Sequence, residues 1–270
     1  MSSLLSQSLH LAVWLGILLA LFVPLERLMS VHRQPVLRTQ WLTDLGYYAL
    51  NSLTTGILLA VPLMYFGVAL YRVMPEGILW RIAALPLSAR LALSVVIAEI
   101  GFYWGHRLSH QIPLLWRFHS IHHSATAVDF LTNTRAHPLD MVFTRLCGFV
   151  PVVALGLAGG AGIPALVLVI ATLWGFFVHA NVRWRFGPLE HVIATPFFHR
   201  WHHTQDALRD RNYAAMLPLV DHLFGTYVRP AQWPERYGID TPMPATLGEQ
   251  LIHPFLPRPA EKRPDINLGA

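Results

Sequence analysis

Charge and cysteine are what this chain has least of. Only 13% of its 270 residues are charged, and Cys147 is the single cysteine. One thiol excludes an intramolecular disulfide framework and any metal cage made of cysteines. Scarce charge, 54% hydrophobic residues and a mean hydropathy of +0.42 together exclude a soluble single-core enzyme. The net charge of +5 does not mark a nucleic-acid protein, because the arginines punctuate apolar runs and form no basic stripe. No Glu has a His three residues later, which removes carboxylate-bridged metal bundles. His-Glu-x-x-His is absent, and with it the common zinc-protease arrangement. No Gly-x-Gly-x-x-Gly run offers a flavin or nicotinamide site, so any redox chemistry draws its electrons from a separate protein.

What the chain has is apolar length. Leu9 to Leu25 is an uncharged run closed by Glu26 and Arg27, near the ~20 residues a span needs. Met1 to Ser8 carries no basic residue and Phe22-Val23-Pro24 is a poor cleavage site, so the first segment reads as a retained anchor. Leu45 to Tyr71 is free of charge and forms a second span; Leu85 to Gly105 forms a third, with Glu99 inside it. Leu146 to Val182 is uncharged for 37 residues and is broken by the glycine-rich stretch Gly156 to Pro164, which marks a hairpin of two short arms. The expected fold is an all-α membrane bundle of four to five spans capped by a histidine-rich helical layer. Residues 1–93 form an N-terminal transmembrane region, 94–229 the chemical unit, and 230–270 a proline-rich tail expected to be extended and irregular.

Arginine placement sets the orientation, because positive loops stay in the cytoplasm. The Arg27 to Arg38 connector, the Arg107 to Arg145 middle and everything after Arg183 share that face. Met1 to Ser8 and the Gly156 to Pro164 turn share the other. The Arg72 to Arg90 loop departs from the rule.

Histidine is the surplus residue: eleven of the 15 fall between His106 and His203. His106-x3-His110, His119-x2-His122-His123 and His199-x2-His202-His203 each set at least two imidazoles on one helix face. The doubled His-His adds a third, turned by ~100° about the axis. Such an array suits two metals side by side better than one. Imidazole accepts iron, zinc, copper or nickel, so ligand type does not choose among them. Two other classes also use clustered histidines. A metal-handling or transport protein lines a path through its spans with ionisable residues, of which only Glu99 is clearly internal. A dihaem electron carrier needs axial pairs and leaves most of these histidines unexplained.

These boxes, with Leu114 to His119, His137-Pro138-Leu139, His179-Ala180-Asn181 and the closing Asp221 to Tyr227, resemble the fatty acid hydroxylase superfamily, in particular its bacterial sterol desaturase-like branch. The likeness covers about Ser94 to Arg229. It implies a non-haem centre of two iron ions at the cytoplasmic ends of transmembrane helices, in a bacterial inner membrane. There it activates O2 to hydroxylate or desaturate a fatty acyl chain, sterol or related lipid, with electrons from a ferredoxin, cytochrome or reductase. Carried over residue by residue, the implied ligands are His106, His110, His119, His122, His123, His199, His202 and His203, with His179 as a ninth and His137 as a further candidate. Arg183 stands where some members carry another histidine. Glu99 shares a helix face with Tyr103, His106 and His110. It is expected either to accept a ring N–H from a ligand histidine or from Tyr103, or to pair with an arginine. Asp129, Asn133 and Asp206 are weaker outer candidates. Trp104 and Trp116 are expected at the interface or the lipid entrance. His10, His32, His191, His222 and His253 are read as interface or tail residues, and Arg107, Arg117, Arg200, Arg209 and Arg211 as a docking face for an acidic donor or lipid headgroups.

Overall fold

The computed structural model describes residues 3–157 and 163–257. Among them the regular elements are all helices, and the one pairing of extended backbone is an isolated bridge between Thr204 and Tyr237. Three helices are long and apolar enough to cross a membrane: α1 (Ser3–Leu28), α2 (Trp41–Val73) and α4 (Leu87–Gln111). Between the last two lies α3 (Glu76–Ala83), a short helix with no buried residue. At 1.5 Å per residue α2 runs about 50 Å, longer than the ~30 Å hydrocarbon layer. The hairpin arms α6 (Pro138–Ala154) and α7 (Ile163–His179) have 17 residues each, about 26 Å, so neither alone has the length of a full upright span. Most of the glycine-rich turn between them lies outside the described residues.

The long helices are inverted relative to those of a soluble protein. On α2 the residues Asp44, Tyr48, Asn51, Thr55 and Leu59 recur every three or four positions and face inward, buried. Ile57 and Met64, 74% and 64% exposed, point outward. Apolar side chains outside and hydrogen-bonded polar groups inside is the arrangement a lipid solvent imposes. Asn51 donates to the Thr134 and Ala136 carbonyls, so α2 is fastened to the loop that precedes α6.

Contact between α4 and α6 depends on missing side chains. A Cβ on Gly101 would stand 2.1 Å from the Cys147 carbonyl oxygen, one on Gly105 2.9 Å from the Cys147 Cβ, and one on Gly148 3.0 Å from the Ala98 carbonyl oxygen. The Gly101-x3-Gly105 spacing thus lets two backbones touch, as small residues do in membrane helix pairs.

The connector before α2 is not a membrane flank. Arg38 is buried and bonds Asp44 at 2.6 Å and both carboxylate oxygens of Asp129 at 2.6 and 2.7 Å. Arg135 bonds the other oxygen of Asp44. Two cations and two anions therefore neutralise one another inside the protein, tying residues before position 93 to those after it. Glu26, at the end of α1, accepts the backbone N–H groups of Phe130 and Asn181.

The expected irregular tail contains order. Thr246 and Glu249 form a reciprocal capping box that starts α10 (Leu247–Ile252), and Leu247 packs on Gly46 of α2. The Thr-x-x-Glu signature was present in the sequence, hidden among prolines.

Gly101→Val should lower the unfolding temperature of the detergent-solubilised protein, by overpacking of about 1–3 kcal/mol or more. Gly77→Val, at a position open to space, should leave it unchanged. Placed on the exposed Gln111 and Glu235 in a Cys147→Ser background, cysteine labels should react from one side of the membrane, and a label on the exposed Glu76 from the other. Same-side labelling of all three would contradict the crossing order.

Candidate metal centre

The loops and short helices beyond the membrane ends of α4 and α7 gather the histidines. Pro113 opens α5 (Pro113–His123) and Pro196 opens α8 (Pro196–His202), each at a first-turn position where its missing N–H costs nothing. Thr195 caps α8 by accepting from the Phe198 N–H. His106 and His110 end α4, and His179 ends α7.

Among the described residues the rings fall into two groups. His106, His110, His119, His123 and His202 form one; His122, His179, His199 and His203 form the other. All nine are buried, and within each group the ligating atoms lie within 4.8 Å of one another. A coordination sphere with ~2.1 Å bonds is ~4.2 Å across, so small shifts close either group on one ion. The doubled histidines explain the division, since His122 and His123, like His202 and His203, point into different groups. His123 and His203 stack at 4.5 Å and hold the groups side by side.

The outer ring nitrogens show which way the lone pairs face. His106 Nδ1 donates to the Tyr213 carbonyl at 2.7 Å, His122 to Arg135 at 2.9 Å, His179 to Gly175 at 2.7 Å and His202 to Arg211 at 2.8 Å. His119 donates to Asp140 at 3.0 Å and His110 to Asp210 at 2.9 Å. Carbonyls and carboxylates only accept, so six rings carry their proton on Nδ1 and turn Nε2 inward. Yet Nε2 of His106 stands 3.1 Å from that of His119, and Nε2 of His122 stands 3.2 Å from that of His179. Each group therefore contains a pair of inward lone pairs that repel unless a cation lies between them. Burial pushes His122 down to about 4, with the neighbouring His119 adding to the shift, so a bridging proton is unavailable there at neutral pH. Burial also holds His123, His199, His202 and His203 well below the usual imidazole range. An all-imidazole donor set fits iron and the later first-row metals, and it does not fit magnesium or calcium.

Sequence-derived expectations about the surroundings change here. Glu99 accepts from the backbone N–H groups of Met216 and Leu217 at 2.9 and 3.1 Å, not from a histidine, from Tyr103 or from an arginine. It shares a face with His106 but lies two turns, about 10 Å, away along the axis. Its effect on the centre is indirect, because the segment it clamps contains the Tyr213 carbonyl that orients His106. Asp221 holds the same segment through the Tyr213 and Ala214 N–H groups and the Thr226 hydroxyl. His137 joins neither group: Nδ1 caps the Leu139 N–H of α6 and Nε2 faces the Leu251 carbonyl. Asp129 serves Arg38, Asp206 caps the Leu208 N–H, and Asn133 lies beside Gly175. Arg183 is exposed and supplies nothing to the centre. Arg200 is buried against the Tyr237 hydroxyl and the Val128 carbonyl, so it leaves the proposed docking face. Trp116 is buried too, its ring 5.1 Å from His110 and 5.6 Å from His123, with Arg209 over its other side; Trp104 remains exposed. His191 and His222 pair with each other at the surface, and His32 bonds the Tyr237 hydroxyl. Asp140, Asp210 and Asp221 are the functional carboxylates that sequence reading did not find.

A cavity of about 210 Å³ leads to both groups. Val95, Ala98 and Phe102 of α4 face Met141 and Phe149 of α6 and Val178 of α7, and the inner end reaches His106, His119, His122, His179 and His199. Its walls are mostly apolar, and its inner end is lined by imidazoles of both groups.

Replacing Asp140 with leucine should lower metal affinity by about 10 to 100-fold, because His119 loses the carboxylate that orients it. His122→Ala or His202→Ala should remove metal outright, while His137→Ala and His191→Ala should retain it. Metal content of purified variants decides the set, and equal loss in His191→Ala and His202→Ala would contradict the grouping.

The family profile described as fatty acid hydroxylase matches residues 91–226. Ornithine lipid hydroxylase OlsE of Rhizobium tropici is 36% identical over 148 residues, 54% of this chain and 44% of that protein. Human alkylglycerol monooxygenase is 30% identical over 185 residues, 66% of this chain and 40% of its own length. Methylsterol monooxygenase 2-2 of Arabidopsis thaliana is 29% identical over 151 residues, 52% and 53% of the two chains. The chain thus spans about two fifths to one half of the length of these relatives. No solved structure gives a significant match. All nine histidines of the two groups fall inside the profile, which covers half of the sequence, and the chain belongs to the fatty acid hydroxylase family.

Proposed function

We propose that this protein is a membrane-embedded oxygenase that hydroxylates or desaturates a lipid at a centre of two non-haem irons. One observation carries the reading: a single apolar cavity ends on imidazoles of both groups, so a C–H bond can be delivered to the point where two metal positions meet. The named activities of the relatives, lipid hydroxylase and monooxygenase, support it. Iron bound there would supply O2 activation and the oxidising power, and the protein supplies position and exclusion of water.

The proposed ligands are His106, His110, His119, His123 and His202 for one iron and His122, His179, His199 and His203 for the other. Asp140 and Asp210 accept the outer ring N–H of His119 and His110, which fixes ring orientation and raises ligand basicity. Burial keeps His122, His123, His199, His202 and His203 neutral and available as ligands. The walls of α4, α6 and α7 align an apolar chain and keep water from the inner end.

We place the histidine face on the cytoplasmic side, the side that arginine-rich connectors favour, and the membrane is proposed to be a bacterial inner membrane on the family resemblance. A separate electron donor is required, and the buried Trp116 beneath the half-buried Arg209 gives it a short route, since its ring lies against His110 and His123. A dihaem carrier fits the geometry poorly: His106 and His202 have ring centroids only 4.4 Å apart, as do His179 and His199, leaving no room for a porphyrin between axial pairs.

Freshly prepared membranes should contain about two metal ions per chain, with iron the active metal and zinc an expected substitute after purification. Lipid extracts from cells with and without the protein should differ by a gain of one oxygen or a loss of two hydrogens in one lipid class. Zero or one metal in active membranes, or an intense Soret band, would overturn the reading.

A further inference from the structure

The cavity that leads to the histidines has one charged side chain with no partner. Glu99 lies seven residues before His106, Thr172 seven before His179, and Arg145 five beyond Asp140, and all three line the space. Along their helices they sit about 8–10 Å from the histidine end, so polar residues from α4, α7 and α6 lie at a similar depth in a cavity whose walls are mostly apolar. Glu99 is occupied by the Met216 and Leu217 N–H groups.

Arg145 is not occupied. It is half-buried, and among the described residues no carboxylate stands within ion-pair distance of it. The buried arginines each have oxygen partners: Arg38 has Asp44 and Asp129, Arg135 has Asp44, and Arg200 has Tyr237 and Val128. A guanidinium stays charged in proteins and carries five N–H donors in a planar fork matched to carboxylate and phosphate. Leaving it unpaired in apolar surroundings is unfavourable, which is why such residues in a bilayer face a partner or a pathway.

We propose that Arg145 is a substrate-recognition residue: it pairs with an oxyanion, carboxylate or phosphate, of the amphiphile that fills the cavity. This inference rests on the reading of the cavity as the substrate site. It makes the substrate an anionic amphiphile, as distinct from a neutral sterol or alcohol. It also places oxidation near the polar end, because the anion is anchored within about two helical turns of the histidines.

The test uses the full-length, metal-loaded protein in nanodiscs of zwitterionic lipid, with radiolabelled dodecanoate, dodecyl phosphate and dodecanol as probes of equal chain length. One or both anions should bind more tightly than dodecanol by about 10 to 100-fold, as charge-assisted hydrogen bonds imply. Whichever anion binds more tightly identifies the oxyanion. Arg145→Met and Arg145→Gln should abolish the preference at unchanged metal content, and Arg145→Lys should keep part of it. Equal binding of all three probes, no binding, or a preference that survives Arg145→Met and Arg145→Gln would overturn the proposal. Metal content and cellular lipid oxidation are followed for the same proteins. Normal metal and turnover with a preference independent of Arg145 would sink the anion assignment alone. A wild-type chain without metal and without turnover would sink the oxygenase reading beneath it.

Discussion

Nitrogen lone pairs facing each other across about 3 Å are the constraint on which the rest of this molecule is organised. A neutral imidazole pair so placed is repulsive, and the chain invests many of its interior hydrogen bonds in holding such pairs. Backbone carbonyls of Tyr213, Arg135, Gly175 and Arg211 fix four rings, and Asp140 and Asp210 fix two more. Two of those acceptors are themselves held by further contacts. Glu99 and Asp221 clamp the segment around Tyr213, and the pairing of Arg135 with Asp44 sets the carbonyl that receives His122. The fold thus holds these rings as a donor set that fits a cation.

What was legible in the sequence was local. Histidines three and four apart declare a shared helix face, and doubled histidines declare two directions, because both relations arise within one or two turns. The long apolar runs declare membrane helices for the same reason. Two of the acceptors behind the rings were hidden because they lie far off in the chain: Asp210 is 100 residues from His110, and Tyr213 is 107 from His106. Glu99 shows where helical reasoning stops, since sharing a face with His106 says nothing about sharing a depth. Arg38 shows a different limit. Its surroundings in sequence read as a positive flank, while its partners, Asp44 and Asp129, are brought together only by folding.

The same lipid-facing exterior that made the spans easy to recognise also shifts the burden of stability. Apolar association gains little when the solvent is apolar, so close packing and interior polar bonds hold the helices together. Gly101, Gly105 and Gly148 provide the first, and Asn51, Asp44 and Glu26 provide the second. Both kinds of contact converge on the helices that carry the ligands, so architecture and chemistry are not separable layers here.

The four-charge cluster of Arg38, Asp44, Asp129 and Arg135 has a consequence for how this fold can be cut and recombined. The family profile begins at residue 91, yet two of the four charges precede it. A chimera that grafts the profile-matching half onto a foreign anchor would carry Arg135 and Asp129 inward without their counterions, and the His122 carbonyl acceptor would lose its footing. The transplantable unit is therefore larger than the recognisable one, beginning at or before Arg38.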